Sequence, residues 1–150
     1  MQNDVQVPRI LLYVEDNSAN VLLVEQVIAR RKDLKLLTTK TGRAGVQIAR
    51  DYFPDVIVMD INLPDISGIE ALKILRADST TSHIPVMALS SNAYPRQIER
   101  GLQEGFFRYL TKPFLINDFS QALDAILLQA AKLHQMRQNA NDVIENRHPA

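Results

Sequence analysis

Five short apolar runs alternate with helical patterns along the chain, and this alternation most constrains its fold. Three of the runs are rich in β-formers, apolar on both faces and ended by polar or turn residues, at 10–15, 55–60 and 85–90. Two weaker runs, at 34–39 and 106–111, have a similar character. Runs that are apolar on both faces are typical of strands inside a parallel sheet that is covered by helices.

The segments between and after these runs have helical patterns. A helix over 42–52 is predicted with Thr41 as its N-cap, and Ser67 and Glu70 have the spacing of a capping box. Pro95 stands where the first turn of a helix tolerates proline. The last helix has apolar residues with the spacing of one buried face, at Phe119, Ala122, Leu123, Ile126, Leu127 and Ala130. Five such βα units predict an open, parallel, doubly wound α/β fold.

The composition excludes several classes of protein. The chain has 150 residues, which fits one domain, and 46% of them are apolar, which is enough for a core. Lys and Arg (17) balance Asp and Glu (17), whereas domains that bind nucleic acid or a membrane surface need a basic excess. The absence of cysteine rules out disulfides and thiolate metal sites. Without a signal-peptide pattern or a long apolar run, the sequence predicts a soluble, cytoplasmic protein.

Side chains that can bind a ligand or take part in a reaction lie where the predicted strands end. Glu15 and Asp16 end the first strand, and Asp60 ends the third. Ser90 ends the fourth strand, and Lys112 follows the fifth. Ligands of open α/β sheets bind beyond the carboxyl ends of the strands. If the first and third strands are neighbours, three carboxylates converge in one pocket.

Three clustered carboxylates repel one another and take up protons unless a cation compensates their charge. Mg²⁺ suits such a site because it prefers hard oxygen ligands and is often completed by a phosphate of the substrate. A divalent ion and Lys112 together would balance the three acids. Such a pocket can accept a phosphoryl donor, because phosphoryl transfer depends mainly on positioning and on neutralising the charge of the phosphoryl oxygens.

The chain resembles the receiver domain of two-component response regulators. The matching stretches are LLYVEDNSAN, PDVIVMDINLPDISGIE, IPVMALSSNA and GFFRYLTKPF. They occur in the order and with the separations usual in that family, and the resemblance covers residues 9–129. It implies a flavodoxin-like five-stranded parallel sheet of order 2-1-3-4-5 with helices on both faces.

The resemblance also implies roles for the residues at the strand ends. Asp60 is the expected phosphoacceptor, which forms an aspartyl phosphate. The expected ligands of Mg²⁺ are Glu15, Asp16, Asp60 and the backbone carbonyl of Asn62, with Mn²⁺ as the alternative ion.

Further roles concern the switch. Lys112 is expected to pair with the phosphoryl oxygens, and its bond to Pro113 is expected to be cis. Ser90 is the expected switch hydroxyl, and Tyr109 the aromatic residue that turns inward when Ser90 moves. The face formed by the fourth helix, fifth strand and fifth helix would then change its affinity for a partner.

The implied partners are a histidine kinase or a histidine phosphotransfer protein as the donor, and a downstream protein on the switched face. The resemblance further implies homodimerisation on phosphorylation, and neither nucleic-acid binding nor membrane insertion. The domain would assist its own phosphorylation and dephosphorylation in a phosphorelay without being a conventional enzyme.

The predicted organisation is an N-terminal extension at 1–8, a receiver domain at 9–131, and a polar tail or helix extension at 132–150. Phe107 is predicted either to form an exposed contact on the partner face or to pack under the preceding loop. Isolated histidines without ligand-spaced partners are expected to be ordinary surface residues: His83, His134 and His148.

Three other functions share features with this sequence. A haloacid dehalogenase also phosphorylates an aspartate but needs a second aspartate two residues on, where this chain has Asn62. A flavodoxin would present the two acids of EDNSAN to a flavin phosphate, which they would repel. A receiver that acts only as a phosphorylation-independent docking module is the remaining alternative. A stand-alone regulator and a part of a hybrid histidine kinase both stay open, and YVEDNSAN slightly favours the kinase.

Overall fold

The computed structural model of the chain describes residues 7–92 and 94–146. Most of the predicted N-terminal extension therefore lies outside the described residues, as does the end of the chain with His148. Among the described residues, no helix combines the length and the apolar character needed to cross a membrane.

Five strands form one parallel sheet of order β2-β1-β3-β4-β5, which confirms the predicted fold. The strands are β1 (Arg9–Val14), β2 (Leu34–Thr39), β3 (Val56–Asp60), β4 (Val86–Ser90) and β5 (Arg108–Thr111). Val14 of β1 lies beside Met59 of β3. Glu15, which follows β1, and Asp60, which ends β3, therefore lie side by side at the same edge of the sheet.

Helices connect the strands and cover both faces of the sheet. They are α1 (Ser18–Ala29), α2 (Gly42–Tyr52), α3 (Gly68–Ala77), α4 (Pro95–Glu104) and α5 (Ile116–Asn146). The Thr41 side chain caps α2 by accepting a hydrogen bond from the amide of Ala44 at 3.1 Å. Ser67 caps α3 in the same way, with the amide of Glu70 at 3.1 Å. The sequence signals for these two helix starts therefore predicted their bounds correctly.

The core has two layers because alternate residues of a strand face opposite sides of the sheet. Leu11 and Tyr13 of β1 pack with α1 and α5, whereas Leu12 and Val14 pack with α2 and α3. The predicted apolar stripe of α5 lies in the first layer, with Phe119, Ala122, Leu123, Ile126 and Leu127 buried and Ala130 partly buried.

The last strand begins later than the sequence predicts, at Arg108 rather than 106. Gly105 ends α4 in a left-handed conformation with φ at 117°, and the amide of Phe106 then donates to the carbonyl of Gly101 at 3.2 Å. This helix end occupies the residues that the apolar run assigned to the strand. Phe106 is buried, and Phe107 is half-buried against the α1–α5 layer, so Phe107 packs rather than standing fully exposed.

The structure adds detail to two predictions about the chain's second half. The helix α5 continues without a break to Asn146, and all of residues 134–146 are exposed. His134 lies on this exposed part, as expected of a surface histidine. His83 is instead half-buried, and its Nδ1 atom is buried without a hydrogen-bond partner among the residues the structure describes.

Candidate functional site

The carboxyl edge of the sheet brings three carboxylates together. Glu15 and Asp60 are buried, with 0% and 4% of their surface exposed, whereas Asp16 faces solvent. Each offers a carboxylate oxygen, and these oxygens all lie within 4.8 Å of one another. The cluster forms because β1 and β3 are adjacent and parallel, so the acids that follow or end them meet at one edge.

Lys112 supplies a positive charge inside this cluster. Its Nζ donates to Glu15 Oε1 at 2.8 Å and to Asp60 Oδ2 at 2.6 Å. The lysine follows β5 directly, and its backbone amide donates to the carbonyl of Ser90 at 2.8 Å. The peptide bond between Lys112 and Pro113 is cis.

The backbone around Asp60 is fixed from the other side. Asp60 Oδ1 accepts a hydrogen bond from the amide of Asn62 at 2.9 Å, and the amide of Gly68 donates to the carbonyl of Ile61 at 2.9 Å. A methyl group at position 68 would lie 2.6 Å from the carbonyl oxygen of Asp60. Glycine thus lets the first turn of α3 contact the backbone of the acid.

Glu15 has one partnered and one unpartnered oxygen. Oε1 accepts from Lys112 and also from the side-chain amide of Asn20 in α1 at 2.6 Å. Oε2 is buried and has no hydrogen-bond partner within 7–92 and 94–146. A buried carboxylate oxygen without a partner is costly, so this atom points to a donor or a cation at the site.

Glu15, Asp60 and Lys112 shift one another's pKa values. Burial and the neighbouring Asp60 raise the pKa of Glu15 to about 7. Burial also opposes ionisation of Asp60, but the neighbouring Glu15 carboxyl group and the hydrogen bonds from Lys112 and the Asn62 amide outweigh it and lower the pKa of Asp60. Burial works against the charge of Lys112, yet its two carboxylate partners keep the pKa of Lys112 above the ordinary value. Asp60 is therefore the ionised carboxylate at neutral pH, and Glu15 is poised between its two forms.

The hydroxyl group and the aromatic residue expected to act as the switch lie on the neighbouring strands β4 and β5. Ser90 is buried at the end of β4, and its hydroxyl accepts from the amide of Asn92 at 3.1 Å. Tyr109 lies on β5 beside Ala88 and is half-buried. Its ring packs edge-to-face on Phe106, with centroids 6.5 Å apart.

Sequence reasoning missed two residues that support the site. Asn20 holds Glu15, because its side-chain amide donates to Glu15 Oε1. Asp65 holds the loop after β3 against α2, because its two oxygens accept from the amides of Gly42 at 2.8 Å and Arg43 at 2.9 Å. Burial opposes ionisation of Asp65, but the backbone hydrogen bonds together outweigh it and lower the pKa of Asp65 to about 2.

Comparison with known proteins assigns the family. The profile described as "Response regulator receiver domain" matches residues 11–124. The chain belongs to the response regulator receiver family. This receiver domain is 34% identical over 120 residues to the polar-differentiation response regulator DivK of Brucella anthropi, a match that covers 80% of this chain and 97% of DivK.

Solved structures of receivers are similar as well. One is the receiver domain of the sensor histidine kinase PA1611 from Pseudomonas aeruginosa PAO1, solved with a magnesium ion in its active-site cleft. It is 30% identical, has a TM-score of 0.72, and the match covers 81% of this chain and 98% of that one. Another is the Mn²⁺-bound form of the response regulator Rcp1, at 26% identity and a TM-score of 0.67, covering 79% and 91% of the two chains.

Membership of the family defines the class of function. Receiver domains are signalling modules of two-component systems rather than conventional enzymes, and they interact with kinases and downstream partners. The family binds Mg²⁺ at an acidic pocket, and the cluster of Glu15, Asp16 and Asp60 is an acidic pocket of that kind.

Proposed function

We propose that this receiver accepts a phosphoryl group on Asp60 from a histidine kinase or a histidine phosphotransfer protein, as one step of a phosphorelay. The observation that carries the proposal is the position of Lys112, whose ammonium lies between Glu15 and Asp60. A buried ion cluster of this kind contributes little net stability, because the desolvation of its charges offsets their attraction. Its arrangement suits a site that must receive a phosphoryl anion.

The two oxygens of Asp60 have different roles in the proposed reaction. Oδ1 is held by a backbone amide, whereas Oδ2 contacts only the movable Lys112 side chain among the described groups. Oδ2 is therefore the nucleophile: it forms a bond to phosphorus as the bond from phosphorus to the imidazole nitrogen of the donor breaks. Lys112 then follows the new negative charge from Oδ2 to the phosphoryl oxygens.

The acidic cluster fits Mg²⁺, or Mn²⁺ as the alternative. Three carboxylates face a single lysine, and the buried Oε2 of Glu15 has no partner in the described part of the chain. Glu15, Asp16, Asp60 and the backbone carbonyl of Asn62 would hold the ion. When bound, the ion supplies charge neutralisation for the phosphoryl oxygens. Asp16 is exposed, so the donor can approach the cluster from that side.

The proposed output is a shift between two populations of the same fold. The phosphoryl group adds a charge of about −1.5 to −2 at Asp60. Ser90 would exchange its bond with Asn92 for one with a phosphoryl oxygen, and Tyr109 would repack into the space this movement opens. The surface formed by α4, β5 and α5 would then bind a downstream protein, and its pairing with a second copy gives a phosphorylation-dependent homodimer.

The remaining features of the proposal follow from this role. The receiver unit comprises residues 9–131, and the exposed continuation of α5 forms a helical extension of it. The domain catalyses its own phosphorylation from small donors and its own dephosphorylation, works in the cytoplasm, and neither inserts into membranes nor binds nucleic acid.

The deciding experiment is the intact mass of the protein after incubation with acetyl phosphate, with and without Mg²⁺. The expected result is a Mg²⁺-dependent gain of one phosphoryl group, absent in Asp60→Asn and retained in the matched variant Asp142→Asn, at an exposed aspartate of α5. A beryllofluoride titration followed by NMR tests the same site without a turnover step. If neither reagent modifies or shifts the wild-type site, the protein is a docking module that works without phosphorylation.

A further inference from the structure

Two buried polar atoms on the same side of β1 have no hydrogen-bond partner among the residues described. One is the hydroxyl oxygen of Tyr13, and the other is Oε2 of Glu15. Both side chains belong to residues that are 0% exposed. A buried polar group that remains unpaired is destabilising, so these two atoms need a physical explanation.

The sheet geometry places the Tyr13 side chain beneath the acidic cluster. Residues two apart on a strand point to the same side, so Tyr13 and Glu15 share one face of the chain. Tyr13 also lies beside Val58, which stands two positions before Asp60 in β3. Burial is the main reason that the pKa of Tyr13 is raised, but the charges of Glu15 and Asp60 add to it, which agrees with this proximity.

The two unpartnered atoms are chemically complementary. A phenol hydroxyl is a hydrogen-bond donor, and an ionised carboxylate only accepts. The surroundings of the Tyr13 ring are apolar, since it packs in the layer that contains Val58, Phe119 and Leu123. Phenylalanine would satisfy that packing equally well, so packing alone does not account for the hydroxyl.

We propose that Tyr13 is a positioning residue of the metal site, whose hydroxyl donates to Oε2 of Glu15 through one water molecule. The inference rests on the proposed Mg²⁺ site and adds to it a residue that contacts neither the ion nor the phosphoryl group. Tyr13 orients the Glu15 carboxylate from below, and Asn20 and Lys112 orient it from the side through Oε1. A carboxylate oxygen accepts more than one hydrogen bond, so Oε2 keeps a lone pair for the metal's shell.

A double-mutant cycle measured as Mg²⁺ affinity tests this role. Isothermal titration calorimetry of the full chain at pH 8 gives the dissociation constant for wild type, Tyr13→Phe, Glu15→Gln and the double variant. We expect Tyr13→Phe to weaken binding about fivefold in the wild-type background, the effect of losing one hydrogen bond. In the Glu15→Gln background the same change should alter the affinity by less than about 1.5-fold, because the two residues act through one contact.

The controls distinguish a failure of the Tyr13 role from a failure of the proposed Mg²⁺ site. Tyr52→Phe makes the same chemical change at a residue that is 60% exposed, and it should leave the affinity unchanged. Urea unfolding checks that Tyr13→Phe remains folded, as its apolar surroundings predict. If wild type binds Mg²⁺ and Tyr13→Phe binds it equally well, or weakens it equally in both backgrounds, the positioning role is overturned and the metal site stands. If wild type binds no Mg²⁺, the metal site of the proposed function falls, and the role of Tyr13 falls with it.

Discussion

Gly101 of α4 leaves the space in which the ring of Tyr109 lies. A methyl group at position 101 would stand 2.8 Å from the Cε2 atom and 2.9 Å from the Cδ2 atom of that ring. Gly101 is itself buried, so the contact is part of the interior between α4 and β5. The absence of a side chain at one position of α4 therefore permits the half-buried orientation of Tyr109.

Replacing Gly101 by alanine is expected to move the Tyr109 ring without any change at Asp60. The added carbon cannot share the space with the ring, and alanine otherwise favours the helix by about 1 kcal/mol over glycine. NMR of the tyrosine ring resonances in the unphosphorylated protein checks this. Arg100→Ala, on the exposed side of the same helix, should leave the resonances in place, and unchanged Tyr109 signals in Gly101→Ala would contradict the expectation.

Replacing Lys112 by methionine is expected to change stability, Mg²⁺ binding and the phosphorylation rate in different directions. The metal-free protein should lose about 2 kcal/mol of unfolding free energy, since the loss of one partner leaves buried carboxylates uncompensated. Mg²⁺ should bind more tightly because no ammonium competes for the acids. Phosphorylation by acetyl phosphate should slow about 100-fold, because a charge that stabilises the transition state is gone.

Urea unfolding, calorimetry and intact-mass kinetics measure these three effects. The control is Lys73→Met, because Lys73 is 59% exposed and lies 3.9 Å from Glu104, a surface pair worth less than about 1 kcal/mol. Weaker Mg²⁺ binding by the Lys112 variant would show that the lysine organises the metal ligands rather than competing with the ion.

Glu15 is expected to give the metal-free protein a distinct dependence of stability on pH. Its pKa is raised from 4.5 to about 7 in the folded protein, so the folded state holds more protons than the unfolded chain between these values. The stability linked to Glu15 is complete below pH 4.5 and is lost as the pH rises through about 7. Relative to Glu15→Gln, the wild-type unfolding free energy should fall by about 2 kcal/mol between pH 5 and pH 8.

Urea unfolding of both proteins at each pH provides the comparison. The difference between the two removes the opposing effect of His83, whose lowered pKa adds stability as the pH rises to its ordinary value of 6.5. Saturating Mg²⁺ should reverse the slope, because the ion binds the ionised carboxylate. Parallel curves for wild type and Glu15→Gln would mean that Glu15 stays ionised throughout this range.

A methyl group at Gly68 is expected to disturb the backbone of the phosphoacceptor. The nearest atoms are the carbonyl oxygen of Asp60 at 2.6 Å and the Cα atom of Ile61 at 2.9 Å, and backbone atoms move only together with β3. Overpacking of this kind costs about 1–3 kcal/mol. Gly42→Ala is the matched variant, since its closest contact, also at 2.6 Å, is the movable side chain of Ile66.

Unfolding free energies and phosphorylation rates of the two variants check this expectation. Gly68→Ala should lose more stability than Gly42→Ala and should accept the phosphoryl group more slowly. An equal loss in both variants, with normal phosphorylation, would show that the loop after β3 adapts to the added carbon.

The parts of the site that follow from strand order could be predicted from the sequence, and the parts that follow from helix docking could not. Glu15 and Asp60 meet because the parallel strands β1 and β3 end at the same edge of the sheet. The sequence motifs indicate which two strands carry these acids. The contact of Asn20 with Glu15 depends on how α1 lies on the sheet, and the contact of Asp65 with α2 depends on the path of a loop. Neither leaves a periodic signal in the sequence.

The C-terminal helix was harder to predict for a different reason. Its first half has the apolar stripe that folds against the sheet, from Phe119 to Ala130, and this stripe was evident in the sequence. After Leu133 the helix is polar and exposed, and the only large apolar residues of this described part, 134–146, are Met136, Val143 and Ile144. Composition of this kind fits both a tail and a helix, so the pattern left the two alternatives open.

The uninterrupted course of α5 makes it a lever arm. Its 31 residues span about 46 Å at 1.5 Å per residue, with one end anchored in the core and the other free of it. A small tilt of the anchored half is therefore magnified at the free half. Because the chain has no cysteine, cysteines introduced at exposed Gln138 and at exposed Lys35 of β2 would carry two spin labels. The change in the distance between the labels measures in ångströms how far the free half of α5 moves when Asp60 is modified.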